Sequence, residues 1–309
     1  MRMKTRLILA ATLIAAAVPA MAHRQWLLPS GTIFSGADPW VTVDAAVSND
    51  LFFADHVAMP LGGVKVWQPD GQEGKIQNGS TGRYRSTFDV QLNKPGTWRI
   101  GTQQSGVMGS FKVDGVEWRL GGRRGPPPGA GPAGGPGGPG GPGGGAMRPP
   151  APGAQPGGPG LQARPSVSSV DEIPANATDI QITESSGRNE IFVTSGEPTP
   201  IVPSNKGLEM VPVTHPAELV QGEAGRFRFL VDGKPAANLK VTVVPGGKRY
   251  RDAEGAFDVT TGADGVASID WPMPGMFWVN ASLTDNKPSV AKATQRRMSY
   301  TTTLEVMAP

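Results

Sequence analysis

The 309-residue chain holds three histidines, His23, His56 and His215, and no cysteine. Without thiols it has no disulfide framework, no thiolate nucleophile and no Cys-ligated zinc or iron–sulfur site. The histidines therefore carry the metal chemistry open to it. His23 follows Ala20-Met21-Ala22, a small-x-small cleavage site. Cleavage after Ala22 makes His23 the first residue, and its α-amine and Nδ1 then close a six-membered chelate on a divalent metal. Imidazole with an amine nitrogen suits Cu(II) and Ni(II). A cut after Ala20 puts the histidine third from the amine, a spacing that also chelates these ions. Read alone, a histidine beside a cleavage site is an ordinary polar residue on a frayed end.

A second imidazole turns that chelate into a three-nitrogen site. His56 lies in Ser48-Asn49-Asp50-Leu51-Phe52-Phe53-Ala54-Asp55-His56, a loop after an expected strand Trp40–Val47, and can reach His23 if His23 opens the first strand. Asp55 or Asp50 then stands as a further ligand or as an acceptor that orients an imidazole. The candidate metal residues are His23, His56 and Asp55. His215 precedes Pro216 and reads as a structural turn residue.

Other chemistries find little support. The eight methionines after residue 22 read as scattered, unlike the clusters of Cu(I) carriers. There is no Gly-x-Ser-x-Gly elbow, and the Gly-rich tract lacks the Lys-Ser/Thr and following helix of a phosphate loop. No catalytic residue is assigned, and the chain is expected not to be an enzyme. Copper monooxygenase chemistry on an N-terminal histidine brace is the weakest reading: the first residue fits, but no flat aromatic face is evident and only Tyr84, Tyr250 and Tyr300 supply tyrosine.

The elements that must position these residues are β-strands. Short runs rich in β-formers alternate with Gly, Pro and Asp turns. Tyr84 to Leu92 alternates, and Ser110 to Leu120 reads as a hairpin around Asp114-Gly115. Asp179–Thr183 and Glu190–Thr194 read as two strands separated by a turn at Gly187. Arg226 to Val231 alternates strictly. With 43 Gly and 31 Pro, a helical bundle is excluded. Strands at 8–12-residue spacing predict an all-β fold of two Ig-like or prealbumin-like sandwiches.

The expected organisation is a signal peptide at 1–22, a first sandwich at 23–207 and a second at 208–309. Arg2, Lys4 and Arg6 precede the apolar stretch Leu7–Val18, which is too short for a lasting membrane anchor. Residues 122–165 contain 17 Gly and 13 Pro; such a segment buries too little apolar surface to offset its ordering entropy, and it reads as a disordered insertion. The formal charge of +3 comes from basic residues in the leader and the tract, neither of which has an acid, so the expected folded segments are net acidic. That excludes a nucleic-acid binder with a basic stripe. No later stretch is apolar enough to span a bilayer as a helix, and the expected location is the periplasm.

Three segments resemble a known family. They are "VDAAVSNDLFFADHVAMPL" at 43–61, "LEMVPVTHPAELVQGEAGRFRFLVDGKPAANLKVTVV" at 208–244 and "GADGVASIDWPMPGMFWVNA" at 262–281. With Ala22-His23-Arg24-Gln25-Trp26-Leu27-Leu28-Pro29-Ser30, they make the chain similar to the domain-of-unknown-function family 4198. That family is described as NikM-like or as a periplasmic component of cobalt/nickel uptake. The resemblance implies an exported protein of two β-sandwiches with a role around nickel or cobalt, and it does not itself assign His23 and His56 as ligands.

The leading expectation is a periplasmic binding or delivery protein for Ni, Co or Cu, serving a metal-uptake transporter or outer-membrane receptor. The alternative is a metal-free interaction module that binds an envelope receptor or polysaccharide.

Overall fold

The computed structural model describes residues 23–121 and 164–309. The expected signal peptide and nearly all of the expected insertion lie outside the described residues. Within them the chain is almost entirely β-strand, with four 3-10 turns and no helix long and apolar enough to cross a membrane.

The chain divides into two compact units. One comprises residues up to Gln103, Arg188–Ala281 and Tyr300–Pro309; the other comprises Gln104–Gly187 and Ser282–Ser299. This differs from the expected boundary at 207/208. The division falls inside strands Gly96–Val113 and Thr178–Ser195, each 18 residues long. The turn expected at Gly187 does not form, because that residue sits inside the second of these strands.

Other glycines inside these strands also sit where backbones approach closely. A Cβ at Gly101 would lie 2.5 Å from the Asn189 carbonyl oxygen, and one at Gly109 would lie 2.1 Å from that of Gln181. Both mark close backbone approach in a continuous strand, not a break. The turn at Asp114-Gly115 does form: both residues have positive φ, 50° and 79°, and Val113 pairs with Val116 across it.

In the first unit, strands Arg24–Pro29, Trp40–Ser48, Ser86–Gln91 and Gln77–Thr81 pair in that order, all antiparallel. Val57–Ala58 also pairs with Trp40–Ser48. The period-two pattern sets the buried face: Ser86, Phe88 and Val90 are buried, and their neighbours are half-buried. This face packs on a second sheet in which Val64–Trp67 pairs with Gly96–Val113. Val43 and Phe88 from one sheet share a core with Trp98 and Ile191 from the other, a sandwich-like arrangement.

Elsewhere in this unit, Ala224–Val231 pairs with Leu208–Pro212 and with Val266–Asp270. Its alternation is as expected, with Phe227 and Phe229 buried and Arg226 and Arg228 exposed. Phe229 meets Tyr300 edge-on at 6.1 Å. In the second unit, Phe111, Leu120, Ile173 and Ile182 form a separate small core.

Candidate metal centre

The register around one strand brings His23 and His56 together. Arg24 pairs with Ser48, so His23 lies one residue beyond the end of that ladder. On the other side of the same strand Val57 pairs with Val47, so His56 lies one residue before that ladder. Both histidines therefore stand at the same end of Trp40–Ser48, one on each flank. Their rings stack with centroids 3.8 Å apart and planes 18° apart. Both residues are exposed.

The loop between Ser48 and Val57 is held from several sides. Trp26 Nε1 donates to Ser48 Oγ at 2.7 Å, and Ser48 Oγ donates to the Asp50 carbonyl at 2.6 Å. Leu51 and Phe52 pack with Trp26, Val244 and Trp278. Phe52 has φ of 61°, a conformation that a bulky side chain adopts at a cost. The opposing residue is Gly246, where a Cβ would lie 2.8 Å from the Phe52 ring. Lys248 Nζ donates to Asp50 Oδ1 at 2.7 Å, and the Arg249 guanidinium lies 3.8 Å over Phe53. Arg24 pairs with Glu254 and lies over the Trp278 ring. The Arg24 hydrogen bond, against some desolvation, holds the Glu254 carboxyl below its ordinary range.

Asp55, the third expected ligand, is tied within its own loop. Its two oxygens accept from the backbone N–H and side-chain amide of Asn49, at 2.9 and 3.3 Å. Partial desolvation opposes its ionisation, but the Asn49 hydrogen bonds outweigh it and keep its pKa below the ordinary value. Among the described residues no group of three or more His, Asp or Glu side chains is arranged to hold a metal. His23 and His56 are thus the two expected donors that the fold brings together.

Two imidazoles that share a metal place it in the plane of each ring. Metal–nitrogen bonds of ~2.0–2.1 Å put adjacent donor nitrogens roughly 3 Å apart. Here the two rings lie face to face, with centroids 3.8 Å apart.

His215 belongs to a separate set of hydrogen bonds. Its Nδ1 accepts from the Ala217 N–H at 3.1 Å, capping the turn Pro216–Glu218. The proton therefore sits on Nε2, which donates to Thr97 Oγ1 at 3.0 Å. Burial, partly offset by the hydrogen bond to the Thr199 carbonyl, holds its pKa below the ordinary histidine value. Both ring nitrogens are engaged, in keeping with the structural role expected of it.

Sequence reading missed the partner loop at 245–255. Its run Lys248-Arg249-Tyr250-Arg251 was visible, but nothing local pairs it with Asp50 and Phe53. It also read the methionines as scattered, whereas Met273 and Met276 line one cleft with Phe52.

The model of a family described as a domain of unknown function, DUF4198, matches residues 20–285. The chain belongs to this family. Comparison with curated proteins gives no match. Among solved structures, trypsin-activated alpha-2-macroglobulin from Escherichia coli aligns at 12% identity and a TM-score of 0.20. That alignment covers 91% of this chain and 15% of that one. The D0-D1 domain of intimin aligns at 11% identity and a TM-score of 0.19, covering 90% and 97%. The D00-D0 domain of intimin aligns at 9% and 0.18, covering 92% and 100%. At these TM-scores the likenesses carry no argument about fold or function.

Proposed function

We propose that this member of the DUF4198 family is an exported binding protein for a divalent transition metal. Its cargo is Ni, Co or Cu, and it serves an uptake transporter or receptor from the periplasm. The described strands are read as two Ig-like sandwiches. His23 and His56 are the imidazole donors, the α-amine of His23 is the third nitrogen, and Asp55 holds the loop that carries His56. The observation that carries this reading is the 3.8 Å stacking of two histidines 33 positions apart. Three nitrogen donors favour Cu(II) or Ni(II) over Mg(II) and Ca(II), which prefer oxygen.

The test is titration of Cu(II) and Ni(II) into protein that begins at His23, compared with His56→Ala, His215→Ala and a form extended by one residue before His23. Binding is expected to weaken at least about tenfold in His56→Ala and in the extended form, in line with the loss of one donor. His215→Ala is expected to bind like the native protein. Equal affinity in all four forms excludes the site.

The second reading is a metal-free interaction module, supported by the absence of any three-residue His/Asp/Glu cluster among the described residues. It takes the lead if the titrations show no binding.

A further inference from the structure

His23 and His56 stack, yet nothing on the rings themselves holds them there. Among the described residues no hydrogen bond reaches either imidazole, and both residues are exposed. A metal-ligating histidine is ordinarily oriented by a hydrogen bond on its second ring nitrogen. Here the orientation must come through the neighbours of each histidine along the chain.

Both sets of neighbours lead to one turn. Arg24, next to His23, meets the two carboxylate oxygens of Glu254 with one guanidinium nitrogen each. Such two-pronged pairing fixes direction as well as distance. Asp50, in the loop that carries His56, accepts from Lys248 Nζ at 2.7 Å. Phe53 of the same loop lies under the Arg249 guanidinium, 3.8 Å away. The turn is firmly built. Arg251 ties its two ends by donating to the carbonyls of Pro245, Gly246 and Glu254 at 3.0, 2.6 and 3.0 Å. The Gly246 N–H donates to the Met276 carbonyl at 2.7 Å, and the Tyr250 N–H to that of Gly247 at 3.0 Å.

Four charges act here as one set and not as two separate pairs. The Asp50 hydrogen bond and charge hold the Lys248 ammonium above its ordinary range; Glu254 adds to this, while desolvation and Arg24 oppose it. Glu254 is held low by Arg24 and also by Lys248, against desolvation and Asp50. The signs alternate along Asp50, Lys248, Glu254 and Arg24, and the set is neutral. The other charges nearby are engaged elsewhere or face solvent: Asp55 is held by Asn49, Arg249 lies on Phe53, Arg251 is held by carbonyls, and Asp252 is exposed.

We propose that Lys248 and Glu254 are positioning residues of the metal centre, and that the 248–254 turn is the template on which His23 and His56 are brought face to face. This rests on the reading of the two histidines as the imidazole donors. It also gives the site a regulator, which is ionic strength. The four side chains of the template are 25–43% exposed, so salt screens their attraction and loosens the histidine pair.

The test uses protein that begins at His23, as native chain, Glu254→Gln, Lys248→Met and Lys248→Arg. Ring-to-ring proton contacts between His23 and His56 are read by NMR in metal-free protein at low and high salt. Titration with Cu(II) and Ni(II) follows on the same samples. The native chain is expected to show the contact and to lose part of it in high salt. Glu254→Gln and Lys248→Met are expected to lose it at either salt and to bind Cu(II) about threefold or more weakly, in line with the loss of one partly exposed ion pair. Their Cu(II) d–d band is expected to move to lower energy as one nitrogen leaves the metal. Melting temperatures should stay close to native, which separates positioning from unfolding. Lys248→Arg keeps the charge and is expected to restore both the contact and the affinity. The proposal fails if both neutral variants keep the ring contact, or if Lys248→Arg loses it as Lys248→Met does. Native metal affinity in all the variants overturns the positioning role and leaves the metal reading intact. A native chain that shows the contact but binds neither ion overturns the metal reading, and this role with it.

Discussion

Nε1 of Trp278 donates a hydrogen bond to the carbonyl of Gln25 at 2.9 Å, across 253 positions of sequence. The same indole carries the Arg24 guanidinium on its face, 5.4 Å from the ring centroid. The strand that starts beside His23 is thus held in place by a tryptophan from the far end of the chain. The position of the first imidazole is a tertiary property.

Trp278→Phe keeps an aromatic ring over Arg24 and removes the donor to Gln25. Because Gln25 is exposed, its carbonyl regains water, and the expected cost is about 1 kcal/mol. Trp278→Ala also empties part of the core shared with Trp26 and Val244 and is expected to cost ~3–5 kcal/mol. Chemical denaturation measures both. Cu(II) affinity should follow the same order, because His23 loses its fixed place.

Asp55 and Asn49 act as one unit, so their variants should behave alike. Asp55→Ala and Asn49→Ala are each expected to weaken metal binding modestly and by similar factors, since each frees the loop that carries His56. The double variant should add little to either single one. A much larger loss in Asp55→Ala than in Asn49→Ala would identify Asp55 as a direct ligand.

His215 sets a pH dependence of stability. Burial lowers its folded-state pKa below the ordinary 6.5, so the unfolded chain takes up the proton first. Its contribution is therefore fully present above about pH 6.5 and declines as pH falls through that value. It stops declining once pH passes below the folded pKa. Protonation places a hydrogen on Nδ1, where the Ala217 N–H now donates. Melting temperatures from pH 8 to 5 with a chelator present, native against His215→Asn, should differ most at the neutral end and converge toward the acid end.

The glycines inside the long strands should be intolerant of alanine. Gly101→Ala drives a methyl to 2.5 Å from the Asn189 carbonyl oxygen, and Gly109→Ala to 2.1 Å from that of Gln181. Each is expected to destabilise by at least ~1–3 kcal/mol. Gly62→Ala meets nothing within 4 Å and serves as the control, with an expected change within about 0.5 kcal/mol. Thermal unfolding of the three variants decides it.

Much of the local structure was legible in the sequence. The alternation of Arg226 to Val231 announced which side chains face inward, because a strand's side chains repeat every two residues. Asp114-Gly115 announced its hairpin, because that turn needs two residues with positive φ. The rarity of histidine narrowed the candidate metal donors to His23 and His56 before any contact was known. What the sequence could not carry was pairing between distant segments. Gly187 looks the same whether it turns a chain or admits a neighbouring strand, and only the partner strand decides which. Asp55 is adjacent to His56 in sequence, yet its oxygens go to Asn49, because the loop closes on itself. His23 and His56 meet because Arg24–Pro29 and Val57–Ala58 flank the same strand in fixed registers. Residue type and spacing determined which chemistry was available to this protein. Strand register, which depends on contacts spread across the chain, decided where that chemistry was brought together.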